Sequence, residues 1–297
     1  MLHSMITDVE VARTAAEAGA AVVRRMFGES LPRVEKGEGD FATAADVAAE
    51  KAILDVIRTA RPGDTVTGEE TGRTGPAEAE RTGPAEAGHT GPAEIRHTGS
   101  AGAGHTGPAE AERGWLVDPL CGTLNYAVHT MLASVNVALR VGESLTAAAV
   151  ADPFSDEVFW TDGVRAHARR GGVDTPLRPS AESRLVDVNL DPPFPNAPAF
   201  HPTALLADPG FAARFRPRVV STTLAVAWVA AGRRAAYVTD GHQYDSVHFA
   251  AGIALCQAAG CVVTGLDGLP PHTGTGGLLI AADQPTHTAL LDLIGAR

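Results

Sequence analysis

The sequence has only three cysteines, Cys121, Cys256 and Cys261. An odd count at these spacings makes neither a disulfide framework nor a zinc motif, and it suits a reduced, cytoplasmic setting. Long apolar runs are missing too. Nothing approaches the roughly 18 uninterrupted apolar residues of a membrane span, so no membrane partner is expected. The amino-terminal stretch turns acidic before any apolar run develops, unlike a signal peptide. Basic residues are in deficit: 24 Lys and Arg stand against 35 Asp and Glu, a formal net charge of -11. General nucleic-acid binding rests on phosphate neutralisation by Lys and Arg, so nucleic acid is not an expected partner. Such a surface also repels anionic substrates unless bound cations reverse the local sign.

What is present can fill a large core. Apolar residues make up 44% of 297 and charged ones 20%. That is enough for one domain built of two closely packed halves, about 1–150 and 151–297. Helical spacing predicts a helix over 7–27, with Val11, Ala15, Ala18, Val22 and Met26 inward. A second is predicted over 44–60, with Val47, Ile53, Leu54 and Ile57 inward. Strands are predicted at 115–118, 134–140, 146–151 and 157–160. Further on come a helix at 222–231, a strand at 235–238, a helix at 246–259, a strand at 261–264 and a helix at 285–294. The Pro- and Asp-rich stretch 171–217 carries no clear period. Mixed elements throughout predict a layered α/β architecture.

Between 74 and 113 the chain repeats with a period of eight: TGPAEAER, TGPAEAGH, TGPAEIRH, TGSAGAGH, TGPAEAER. Each copy carries Gly, usually Pro, and almost no large apolar side chain. It cannot bury enough surface to offset its ordering entropy. Solenoid units are longer, about 20 residues or more, and carry a core-forming face. The segment therefore reads as a flexible surface insert, with a partner-binding or lid role as the alternative. Its histidines His89, His97 and His105 recur by duplication and need no metal.

Three separated segments place acids at the ends of apolar runs: Thr67-Gly68-Glu69-Glu70, Trp115-Leu116-Val117-Asp118-Pro119-Leu120-Cys121-Gly122-Thr123, and Tyr244-Asp245-Ser246-Val247-His248. Carboxylates gathered this way suit hard cations such as magnesium, which take oxygen ligands. Singly each is weak, because a Gly-Glu-Glu is commonly a loop and an Asp before a helix commonly a cap. His129, His242 and His248 lie near these segments without the i, i+4 partner of a zinc helix. His248, in the helix after Asp245, reads as structural or rim-facing.

Taken together and in this order, the segments resemble the inositol monophosphatase family. Its members carry Gly-Glu-Glu, then Trp, two aliphatics, Asp-Pro, an aliphatic and Asp-Gly-Thr, then Trp-Asp opening a carboxyl-terminal helix. Two more stretches are similar: Lys36 followed by Asp40 to Asp46, and the run from Ser221 to Ala236. The resemblance covers the chain apart from the repeats. It implies the alternating α-β-α-β-α sandwich shared with fructose-1,6-bisphosphatases, a homodimer, and Mg2+-dependent hydrolysis of a small phosphorylated metabolite. Glu69, Asp118 and the Leu120 carbonyl would hold a first metal. Asp118 would bridge to a second, held also by Asp245 and the residue at position 121. Thr123 would pair with Asp46 to orient the attacking water. Amides of Gly122 and Thr123 would face the phosphate, with Ser221 close by. The family's acidic contact to substrate hydroxyls falls near Thr239, beside Asp240.

The family carries Asp where this chain has Cys121, and a thiol matches magnesium poorly. Three readings stand open. The enzyme works with fewer metals; or it no longer hydrolyses and only binds a phosphorylated ligand; or Cys121 has become a nucleophile or soft-metal ligand, its pKa lowered by nearby cations.

Overall fold

The fold comes from a computed structural model that describes residues 6–37, 40–76, 111–191, 202–241, 243, 246–271 and 276–295. Helix α1 (Asp8–Met26) opens on a capping box. The Glu10 carboxylate accepts the Thr7 amide at 2.8 Å, and Thr7 Oγ1 accepts the Glu10 amide, so two orphan donors are satisfied at once. A hairpin of β1 (Arg33–Gly37) and β2 (Asp40–Thr43) leads into α2 (Ala44–Ala60), which repeats the device with Thr43 and Asp46. Ala45, Ala49, Ile53 and Ile57 of α2 pack on Val11, Ala15 and Val22 of α1. Val47, expected inward, is 54% exposed. It lies about 200° round the helix from Ala45.

After α2 come β3 (Thr65–Gly68), β4 (Gly72–Thr74) and β5 (Arg113–Cys121), then the short α3 (Thr123–Ala127). The meander β6 (Ser134–Val141), β7 (Ser144–Asp152), β8 (Glu157–Thr161), β9 (Ala166–Arg170) and β10 (Val173–Pro176) completes a sheet of eight strands, ordered β10-β9-β8-β7-β6-β5-β3-β4. Only β3 and β5 run parallel within it.

The remaining elements are β11 (Leu185–Val188), α4 (Pro202–Leu206), α5 (Pro209–Arg214), β12 (Arg216–Val219), α6 (Leu224–Ala230), β13 (Ala236–Thr239), α7 (Ala250–Ala259), β14 (Val262–Thr264), β15 (Leu278–Ala281) and α8 (Gln284–Gly295). They supply a second sheet, β12-β11-β13-β15-β14. Several lie in the stretch that carried no clear period, where short strands alternate with proline-led helices.

The layers follow from side-chain alternation. Trp115 and Val117 of β5 face α1 and α2, whereas Leu116 faces the other way, onto Leu224, Ala227, Ala251 and Leu255 of α6 and α7. Those two helices are buried almost all round, as a helix between two sheets must be. Their far side meets Tyr237, Leu278 and Ile280 of the second sheet. Phe211, Leu205 and Leu290 cover that sheet's outer face. The result is the expected α-β-α-β-α sandwich.

The octapeptide repeats fall largely outside the described residues, but their ends do not. Thr74 closes β4 and Arg113 opens β5, so the insert is shorter than the repeat pattern. Thr74 and Trp115 pair with the same residue, Val66, from opposite sides, which sets the strands about 10 Å apart, two inter-strand spacings. A short linker spans that distance. Deleting 77–110 and closing with a few Gly and Ser residues is expected to leave Tm nearly unchanged, since loop length costs little entropy. Thermal unfolding of the deletion variant checks this. A large drop would mean that the repeats pack on the body.

Candidate active site

The site grows from the carboxyl end of β5. Asp118 shares the face of Leu116, so it points towards α6 and α7, and it is fully buried. Opposite it on β6 is Asn136, whose Nδ2 donates to Asp118 Oδ2 at 3.2 Å. The Leu120 amide donates to Asp118 Oδ1 at 3.1 Å. Pro119 follows Asp118, and the ladder slips there: Asp118 to Cys121 on β5 spans Asn136 to Ser134 on β6. Proline cannot donate to a ladder, and a bulge of this kind re-aims the residues beyond it.

Beside β5 runs β3, in parallel, with Gly68 opposite Val117. The Glu69 amide donates to the Val117 carbonyl at 3.1 Å, which carries Glu69 alongside Asp118. Glu50 of α2 anchors this loop: it is buried, and its carboxylate accepts the amides of Glu70 and Thr71 at 2.8 and 2.9 Å. A Cβ at Gly68 would collide with that carboxylate, so the loop requires glycine there. Lys36 Nζ reaches both Glu69 at 3.0 Å and Glu70 at 2.5 Å. Burial, then the charge of Asp118, pushes the Glu69 carboxyl up to about 8. Its Oε2 is buried without a partner.

Past the bulge, Gly122 takes φ +101°, in the left-handed region where a side chain is costly. A Cβ there would lie 2.7 Å from the Leu132 carbonyl. The turn releases Thr123 into α3. Thr123 Oγ1 lies 3.0 Å from both Asp46 Oδ1 and the Leu120 carbonyl, so the expected Thr123–Asp46 pair is in place. Burial pushes Asp46 up, with hydrogen bonds from Thr43 and Thr123 pulling it back in part. The amides at the start of α3 are among those that lack intrahelical partners.

Cys121 turns towards α6, where its Sγ accepts the Thr223 amide at 3.3 Å. Burial, then the charge of Asp118, raises its thiol well above the ordinary value. Cys256 is a buried small side chain bonded to the Val226 carbonyl, and all three cysteines are free.

The family model of the inositol monophosphatase family matches residues 5–296. The chain belongs to the inositol monophosphatase family. Inositol-1-monophosphatase of Caulobacter vibrioides is 28% identical over 295 residues, 97% of this chain and 99% of that one. Nus factor SuhB of Escherichia coli is 28% identical over 287 residues, 94% and 91% of the two. The crystal structure of extragenic suppressor protein suhB from Bartonella henselae shares the fold with TM-score 0.75 and 23% identity over 96% of each chain. Membership of the inositol monophosphatase family supports a metal-dependent phosphatase. The Nus factor name belongs to those relatives, and it gives no support to excluding nucleic acid as a partner here.

Against that family background the other expected residues divide. Ser221 lies beside the Gly122 turn: its carbonyl accepts from Asn125 Nδ2 at 2.8 Å, and its hydroxyl donates to Asp191. Thr239 is buried, its hydroxyl donating to the Asp240 carbonyl and accepting from Asn189. It offers no exposed group to a substrate. Asp240 is buried as well, with Oδ2 lacking a partner. Asp245 lies outside the described residues.

His248 departs from its expected place within a helix. It stands in the turn before α7 rather than in the helix, because α7 begins only at Ala250. Its Nδ1 lies 2.8 Å from Asp118 Oδ2. Burial pushes the ring down, but the charge and hydrogen bond of Asp118, helped by Glu69, outweigh it and hold the ring up at about 9. Asn136, Glu50 and Thr223 are further site residues that the motifs did not name. Asn136 carried one signal, a polar residue inside an otherwise apolar strand. Glu50 carried another, standing four residues after Asp46 on the buried stripe of α2.

These charges set a pH dependence. Folding raises Glu69 from 4.5 to about 8 and His248 from 6.5 to about 9. The folded chain therefore binds both protons more tightly than the unfolded one. Their stabilisation is complete at low pH. The Glu69 part is lost as pH rises from 4.5 through 8, the His248 part from 6.5 through 9. Tm of the metal-free chain, followed in a chelator between pH 6 and 9, is expected to fall by several degrees. A flat or rising profile would contradict these environments.

Proposed function

We propose that this chain hydrolyses a small phosphate monoester, an inositol, sugar, histidinol or nucleotide phosphate, with the help of a divalent cation. The supporting observation is the meeting of Glu69 and Asp118 at the carboxyl ends of two parallel strands, next to the Thr123–Asp46 pair. Glu69 Oε2 is buried without a partner and its carboxyl is pushed up by burial and by Asp118, as fits a pair of carboxylates that would be stabilised by a shared counter-charge. Glu69, Asp118 and the Leu120 carbonyl would form an all-oxygen set of the kind that suits Mg2+. Asp245 and position 121, where the family carries Asp, would complete a second site.

A bound cation supplies phosphoryl polarisation and a nucleophile near neutral pH. The chain's own residues do the rest. Thr123 has one hydroxyl proton and two acceptors at 3.0 Å, Asp46 Oδ1 and the Leu120 carbonyl. Donation to Asp46 leaves the Thr123 lone pairs free to hold a water, whose proton then passes through Thr123 to Asp46. The amides of Gly122 and Thr123 would receive the phosphate oxygens, with Ser221 beside them. Such a reaction needs mainly positioning and charge neutralisation.

The alternatives are a chain that binds a phosphorylated metabolite without hydrolysing it, and a biosynthetic enzyme with Cys121 as reactive group. A phosphate-release panel over these monoesters, run with magnesium and then manganese, separates them from hydrolysis. Release from no substrate with either metal would overturn the phosphatase reading. Thiol alkylation under the same conditions separates the two alternatives from each other.

A further inference from the structure

Asp118, Cys121 and His248 arrive from three places: the body of β5, its far side beyond the bulge, and the turn before α7. One donor atom of each lies within 4.8 Å of the others. The donors are carboxylate, thiol and imidazole. Magnesium prefers six oxygen ligands in near-ideal octahedral geometry, and this set does not fit it. We infer that Asp118, Cys121 and His248 form a site for a borderline-soft divalent cation of the Zn2+ type, in place of a second magnesium. The inference rests on the functional reading above only in placing position 121 at the metals.

Sulfur and imidazole nitrogen are the ligands zinc selects, and three protein ligands with one open position is the arrangement of its catalytic sites. Tetrahedral bonds of about 2.0–2.3 Å set ligand atoms roughly 3.3–3.8 Å apart. The His248 Nδ1–Asp118 Oδ2 pair, now 2.8 Å apart, needs to open by about half an ångström, and with no donor pair beyond 4.8 Å the others need to close by at most about 1.0–1.5 Å. Two of the three donors are already held by a second contact, as metal ligands are. Asp118 takes the Leu120 amide and Asn136 Nδ2, and Cys121 Sγ takes the Thr223 amide. His248 is 42% exposed, which gives a cation a path in from solvent. The neighbouring Glu69, Asp118 and Leu120 set is all oxygen, so the two sites would share Asp118 while differing in hardness.

The test uses the metal-free full-length chain without substrate, titrated with Co2+ and then Zn2+. One equivalent of Co2+ is expected to produce a thiolate-to-cobalt charge-transfer band in the near ultraviolet. Zn2+ should abolish the band, and a large excess of Mg2+ should not. Cys121→Ser should remove the band, and His248→Ala should weaken Zn2+ binding at least about tenfold. Cys256→Ala should keep the band. Circular dichroism identifies the folded variants, and the near-isosteric Cys121→Ser is the deciding one. A folded Cys121→Ser that retains the band, or a parent in which Mg2+ displaces Co2+ as readily as Zn2+ does, would overturn the proposal. The band without phosphate release under any metal overturns the hydrolase reading and leaves this one. Release without the band does the reverse.

Discussion

Asp118→Asn and Glu69→Gln are each expected to abolish phosphate release while the chain stays folded. Both substitutions keep shape and remove a charge, so they weaken the cation that neutralises the transition state. The loss should exceed about a hundredfold, roughly 2.7 kcal/mol of transition-state stabilisation. Asp118 has Asn136 as its cross-strand neighbour, and the Asn136 oxygen is buried without a partner. That amide can turn over to accept from a new amide at 118, which limits the structural cost. Glu69→Gln removes the carboxyl pushed up to about 8, so the metal-free variant should be no less stable than the parent at high pH. Phosphate release and Tm measured on the same preparations check both statements. Activity within about tenfold of the parent in either variant, a loss of only about 1.4 kcal/mol, would sink the assignment of these residues to the metal site.

Cys121→Asp is expected to act in the opposite direction under magnesium. The neighbours Asp118, Gly122 and Thr123 are in place, and on the proposed reading one oxygen ligand is what a second site would lack. A carboxylate at 121 has the Thr223 amide to accept from, as the sulfur does now at 3.3 Å, and Asp is a favourable acceptor at a helix start. Without metal, a further carboxylate beside Asp118 and Glu69 should destabilise the fold. With magnesium it should bind more tightly, release phosphate faster and show a larger metal-induced rise in Tm. Zinc affinity should fall in the same variant. If Cys121 is instead a nucleophile, the change destroys the parent's activity. Equal magnesium affinity in parent and variant would mean that position 121 does not face the metals. A magnesium titration of both proteins, read by phosphate release and by Tm, decides among these outcomes.

The sequence by itself determined the layered architecture, because alternation of period two and stripes of period 3.6 report burial directly. It also brought Glu69, Asp118 and Thr123 forward, since short ordered motifs carry them, and the family resemblance implied the pairing of Thr123 with Asp46 across 77 positions. It gave no order to the stretch 171–217, where strands of four residues, such as β11 and β12, are too short to show a period. Only the tertiary structure decided what stands around Asp118. His248 is 130 positions away along the chain, and nothing local to it reports the contact. It meets Asp118 because the pleat of β5 aims Asp118 at α6 and α7, and because α7 starts late enough to leave His248 in a turn above it. The sequence marked Cys121 as a departure from the motif it resembles, but the sulfur's direction was not legible. The bulge at Pro119 turns it onto the Thr223 amide, and burial, then the charge of Asp118, pushes its thiol up. Linear spacing reports neither the direction a bulge imposes nor the charge that folding gathers around a buried thiol.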